Sequence, residues 1–191
     1  MSVVDRKNRA RRQFAEPILE HADPQVSSFA AGVIRHHDDD HWFHQQTEFV
    51  TLSTQFAVEL REILEKGMGH QAGFVGHIAV ELLLDAELAS RDPNLLDQYY
   101  DCLRSLDAEA VQSAANNICK RPVTMLQMLL PRFISEGFLY DYLHDDKLLY
   151  RLNGVMRRVK LPKLPDVVTE WLATARTRVA ENTDQLLAVP S

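Results

Sequence analysis

The chain reads as all-α: a single-domain helical bundle of about eight to nine helices over residues 1–191. Three observations predict this. Apolar positions recur at helical spacing, most clearly Phe49, Leu52, Phe56, Leu60 and Ile63. Nowhere do four or more residues alternate apolar and polar between turn signals, as a half-buried strand requires. Gly and Pro number only 7 and 8 in 191 residues, too few for a turn-rich β sandwich.

The elements follow in chain order. A basic segment, Arg6-Lys7-Asn8-Arg9-Ala10-Arg11-Arg12, leads into a helix-like stretch to about His21. Pro24 suits the first turn of a second helix running through Phe29 and Val33 toward His36. A third helix spans about Trp42 to Lys66, and Gly67 and Gly69 supply a stop and restart. The fourth covers about Gln71 to Ser90 and ends at Asp92-Pro93, because a residue before proline avoids the helical region. Further helices are expected at about 94–105, 108–120, 123–135, 145–159 and 166–187, punctuated by Pro122, Pro131, Gly137 and Leu161-Pro162-Lys163-Leu164-Pro165.

Composition excludes several function classes. With 21 Lys plus Arg against 27 Asp plus Glu, the net charge of −6 argues against a nucleic-acid coat. Cys102 and Cys119 stand apart with no CxxC spacing, which fits a reducing compartment, and both are expected in the core. No apolar run approaches the roughly 18 to 20 residues needed to span a bilayer. The charged N-terminus lacks the apolar stretch of a signal peptide, so the expected location is the cytoplasm. No Gly-rich phosphate loop, GxSxG elbow or HExxH pair is present.

The eight histidines carry the most information. On a wheel of the fourth helix with His77 at zero, Glu81 falls near 40° and Asp85 near 80°, at about 100° per residue. Leu84, Leu88, Phe74, Ile78 and Leu82 lie between about −20° and 140°, so the three titratable residues are expected within the apolar arc, as one i, i+4, i+8 stripe. A carboxylate facing a core needs either basic partners or a bound cation. His with Asp and Glu is a donor set that divalent ions accept. The alternative is a metal-free polar network.

A second cluster, Arg35-His36-His37-Asp38-Asp39-Asp40-His41-Trp42-Phe43-His44, holds His36, Asp40 and His44 at the same spacing. Here Asp39 or Asp40 could instead cap the helix expected from Trp42. His44 lies far from the apolar face centred on Phe56, so the wheel does not bury it. The six residues His36, Asp40, His44, His77, Glu81 and Asp85 are the candidate ligands for one or two divalent ions. Glu81 or Asp85, if not a ligand, is the candidate general base. His144-Asp145, near a turn, is expected to be surface polar.

Gly32-Val33-Ile34-Arg35-His36 with Asp40, His77-Ile78-Ala79-Val80-Glu81-Leu82-Leu83-Leu84, Pro131-Arg132-Phe133-Ile134 and Leu152-Asn153-Gly154-Val155-Met156-Arg157-Arg158 occur in that order over about residues 30 to 160. Together they resemble the acyl carrier protein phosphodiesterase (acyl carrier protein hydrolase) family. The resemblance implies an all-helical fold distantly like the HD phosphohydrolases and a divalent cation, manganese first, with iron, zinc or magnesium as alternatives. It also implies hydrolysis of the phosphodiester that joins 4′-phosphopantetheine to a serine of the carrier protein. His36 and Asp40 match the family's His-x-x-x-Asp. His44 stands where the family has Asp, His77 and Glu81 where it has two aspartates, and Leu82 where it has a histidine. The family's initial Asn-Phe-Leu-Ala-His-like stretch has no counterpart before Gly32. Either translation starts upstream of Met1, or this is a divergent member.

On this reading the expected activity is a metal-dependent phosphodiesterase. Arg157, Arg158, Lys160 and Lys163 could meet an acidic carrier protein or a phosphate, or simply favour a helix end. The rivals are an HD-like hydrolase of a nucleotide or another small phosphodiester, and a non-catalytic helical module that has lost part of the site.

Overall fold

The computed structural model describes residues 10–188. Residues 6–9 of the basic run lie outside them. Among the described residues there is no strand, and eight α-helices have ten or more residues. With a four-residue helix at either end, the α-helices in order are α1 (Arg12–Ala15), α2 (Pro24–His44), α3 (Thr47–Ile63), α4 (Gly69–Arg91), α5 (Leu95–Arg104), α6 (Ala108–Ile118), α7 (Leu126–Glu136), α8 (Asp145–Val159), α9 (Val168–Glu181) and α10 (Thr183–Leu186). Two 3-10 turns, Glu16–Ile18 and Phe138–Leu143, complete the set. No described helix is long and apolar enough to cross a membrane.

Several bounds differ from expectation. The first helix is only one turn, followed by a 3-10 turn with Pro17 at its start. α2 does not stop near His36; it runs through all three acids to His44. Asp39 and Asp40 therefore lie inside α2 and cap no helix at Trp42. Arg35 Nε donates to both oxygens of Asp39 at 2.8 Å, and Arg12 pairs with Asp38. The charge of the acidic run is thus balanced along an exposed helical face. The last expected helix breaks at Asn182, whose side chain donates to the Arg178 carbonyl at 2.7 Å.

The contacts divide the chain into two compact units. One comprises the described parts of Met1–Trp42 and Gln98–Gly137. Its core is small: Ala10, Ala15, Ala30, Val33 and Ile118, flanked by Phe14, Ile18, Phe29, Ile34 and Cys119. Asp107 caps α6, accepting from the backbone N–H of Glu109 and Ala110. Cys119 is half-buried, and burial pushes its thiol up. Cys102 is exposed, contrary to the core position expected.

The second unit, Phe43–Asp97 with Phe138–Ser191, holds the larger core, built around Phe56, Leu60, Leu83, Leu148, Leu152, Met156 and Leu172. Each such side chain contributes roughly 1.5–3 kcal/mol on leaving water. α3 and α4 form a helical hairpin, its turn made by Gly67 at φ +95°, a left-handed conformation that favours glycine. They approach closely at Gly76, where a Cβ would lie 2.8 Å from both Ala57 N and Ser53 O.

Polar clamps fix the remaining pieces of this unit. Glu59 accepts from Arg178 at 2.5 and 2.6 Å and from Trp171 Nε1 at 2.8 Å, joining α3 to α9. Asn153 accepts from Leu164 N at 2.7 Å, and buried Gln71 donates to the Pro162 carbonyl at 2.7 Å. Both hold the proline-rich link onto the core. Asp145 is no idle surface acid, because it accepts from Arg176 at 2.6 Å, tying α8 to α9.

Candidate metal centre

α2 ends at His44, and α3 starts at Thr47 after only two intervening residues, behind Gln46 in extended conformation (φ −61°, ψ 130°). That break places His44 at the partly negative end of α2, which favours positive charge, and Phe49 in the first turn of α3. His77 and Glu81 lie one turn apart on α4.

These residues converge. Glu81 Oε1 lies 2.9 Å from His44 Nε2 and 3.2 Å from His77 Nε2. The two imidazoles stack with centroids 4.7 Å apart and planes 29° apart. Phe49, itself 2% exposed, sets its ring edgewise to His44 at 4.8 Å and 63°, and to His77 at 5.0 Å and 88°. Phe43 backs Phe49 at 4.9 Å. His44, His77 and Glu81 keep 28%, 44% and 37% of their side-chain surface exposed, so the cluster has an open side.

When either imidazole carries its proton on Nε2, that N–H donates to Oε1. Burial pushes the Glu81 carboxyl up, but the hydrogen bonds from His77 and His44, with their charge, together hold it below the usual carboxylate range. Asp85 moves the other way, to about 6, first from the mass of protein around it and then from the like charge of Glu81 one turn earlier. Its own surface is nevertheless exposed. Water tempers the first cause, and the like-charge pairing is the one that stands.

The three residues could hold a metal ion: their ligand atoms all lie within 4.8 Å of one another. An ion bound at about 2.0–2.2 Å from nitrogen and oxygen needs donors slightly over 3 Å apart, a spacing the two nitrogen-to-carboxylate distances of 2.9 and 3.2 Å already approach. Two imidazole nitrogens and one carboxylate oxygen suit zinc, iron(II) or manganese. They suit magnesium poorly, since it prefers an all-oxygen octahedron.

Three of the six predicted ligands thus come together, and three do not. Asp85 is outside the trio, and His36 and Asp40 are exposed and belong to the other compact unit. The expectation that the α4 stripe faces the core is overturned. The buried residues of α4 are Gln71, Ala72, Val75, Gly76, Ala79, Val80, Leu83, Leu84, Ala86 and Ala89, centred near 210° on the same wheel. His77 and Glu81 are half-buried on the opposite side. Arg157 and Arg158 are exposed in the last turn of α8, which Lys160 closes at φ +61°. Phe49 was legible only as a periodic core residue, since no spacing rule links it to the histidines. Neither a family model, nor a curated protein, nor a solved structure matches the chain.

Proposed function

We propose that the protein is a metal-dependent hydrolase of a phosphodiester, with His44, His77 and Glu81 holding the ion. One observation carries this reading: two Nε2 atoms and one carboxylate oxygen meet on a cluster that stays partly open to solvent. Three protein donors with open positions is the pattern of catalytic sites, whereas structural sites close with four. An ion held by His44, His77 and Glu81 would supply Lewis-acidic charge to activate water and to offset charge developing on phosphoryl oxygens. Asp85, an exposed carboxyl one turn beyond Glu81 whose pKa is raised, is the candidate to take up a proton. The resemblance noted in the sequence supplies the substrate class, and holo acyl carrier protein is the first substrate to test. Exposed Arg157 and Arg158 are candidates to meet its acidic surface.

A second reading is a non-catalytic helical module. It is favoured by the gathering of only three of the six expected donors, already joined to one another by hydrogen bonds. Elemental analysis and titration with Mn2+ and Zn2+ test the site. We expect close to one ion per chain, with loss of binding in the His77→Ala, Glu81→Ala double variant. Turnover is then assayed on holo carrier protein against cyclic and linear nucleotides. Binding without turnover of any of these supports the module, and a wild-type protein that takes up no ion removes the metal reading.

A further inference from the structure

We propose that Phe49 is the positioning residue of this centre, locking the two imidazoles so that both Nε2 atoms aim at one point; the inference rests on the metal reading above. Metal-binding histidines need their ring orientation fixed by a neighbour, commonly a hydrogen-bond partner on the far nitrogen. Here one aromatic ring packs in edge geometry against both imidazoles at once. Phe49 touches His44 and His77 at 4.8 and 5.0 Å, each in edge geometry. Such geometry sets the electropositive rim of one ring against the electron-rich face of another, which restricts imidazole rotation.

Phe49 cannot itself drift. It is buried in the first turn of α3 and packs on the Phe43 ring at 4.9 Å. Leu52 and Phe56 continue the same buried face of α3, but Phe56 packs on Trp171, well along the helix from the histidines. The same kind of ring therefore serves two purposes within two turns: Phe56 fills core, and Phe49 orients ligands.

The test compares Phe49→Leu and Phe49→Met with Phe56→Leu, each in the full chain and checked for helicity by circular dichroism. Zn2+ affinity is read by calorimetry and Co2+ by visible absorption. Loss of an outer-shell partner typically costs 10–100-fold in metal affinity. We expect a drop of about that size with an altered Co2+ spectrum for either Phe49 variant, and a change below about 3-fold with an unaltered spectrum for Phe56→Leu. The Met variant replaces the ring by a flexible unbranched chain that adapts to an irregular gap, so it still reports if the Leu variant fails to fold. Wild-type-like affinity and spectrum in the Phe49 variants overturn the proposal while leaving the metal site standing. Equal losses in Phe49 and Phe56 variants also overturn it, reducing Phe49 to core packing. If wild-type protein binds neither ion, the metal reading and this inference fall together.

Discussion

Gly76 offers a direct test of the hairpin that carries the site. An alanine Cβ there would sit 2.8 Å from Ala57 N and Ser53 O, about 0.6 Å short of the 3.4 Å where ordinary contact begins. Both obstacles are backbone, so no side chain can swing aside, and α3 and α4 must separate. Overpacking of this kind costs about 1–3 kcal/mol. Alanine also gains about 1 kcal/mol of helix propensity over glycine, which masks part of that cost. Gly73 removes the ambiguity. It lies one turn earlier in α4 and has nothing within 4 Å of its Cβ position, so Gly73→Ala takes the propensity gain alone. The difference between the two variants therefore isolates the close approach. At about 2–4 °C per kcal/mol for a chain of this size, Gly76→Ala should melt about 2–12 °C below Gly73→Ala. Thermal unfolding followed by circular dichroism at 222 nm (the usual helix signal) measures it. If Gly76→Ala melts at or above Gly73→Ala, the helices do not meet backbone to backbone at this point.

Two further outcomes follow from charge. Asp85 has a folded value raised to about 6, so its contribution is fully present below the unfolded value and is lost as pH rises through 6. Asp85→Asn should match wild type near pH 4 and melt up to about 2–4 °C higher at pH 7.5, the gain being kept small by solvent; an equal or lower melting point at pH 7.5 would refute the strain. Glu59 is held below the usual carboxylate range, first by the hydrogen bonds from Arg178, against burial and with help from Trp171. A depressed value means stability that is present above the unfolded carboxyl's pKa and lost as pH falls through the lower folded one. Glu59→Gln should therefore cost about 2 kcal/mol at pH 7, less than the 3–5 of a fully buried pair because Glu59 is partly exposed, and the gap to wild type should narrow in acid titrations below about pH 4.

Helix existence was legible wherever local chemistry and periodicity agree. α8 runs Asp145–Val159 as expected, because acids sit in its first turn, Leu148, Leu149, Leu152 and Met156 share its buried face, and basic residues close it. The 3-10 turn Phe138–Leu143 was not legible. It is held by distant partners, Arg151 on Asp141 at 2.7 Å and Arg176 on the Tyr142 carbonyl at 2.8 Å, that leave no local mark. His44 was legible as a candidate ligand by its spacing, but its surroundings were not, for a related reason. A wheel extended back from Phe56 assumes one continuous helix, but the break at Gln45 and Gln46 resets the phase and turns His44 toward Phe49.

The misreading of α4 has a deeper cause. This helix is apolar on nearly every side, so hydrophobicity alone cannot say which face is buried. Ranking by size points toward Phe74, Ile78, Leu82 and Leu88, and all four are only partly buried. Helices approach most closely where side chains are smallest, and α4 turns Ala72, Gly76, Ala79, Ala86 and Ala89 inward, letting Gly76 meet the backbone of α3. Phe74, Ile78, Leu82 and Leu88 are left on the flank while Val75, Val80, Leu83 and Leu84 are buried with the small residues, and His77 and Glu81 come to the open side. Burial of charge therefore gives no reason to invoke a cation here, since water reaches both residues. What bears on a cation is convergence: a third donor, His44, arrives from a different helix to the same carboxylate oxygen, on a face that a ligand could reach. A core-facing stripe would have offered stronger electrostatics and no access. The observed placement offers access, and makes the orientation of the two imidazoles the property on which the affinity of the proposed metal site would depend.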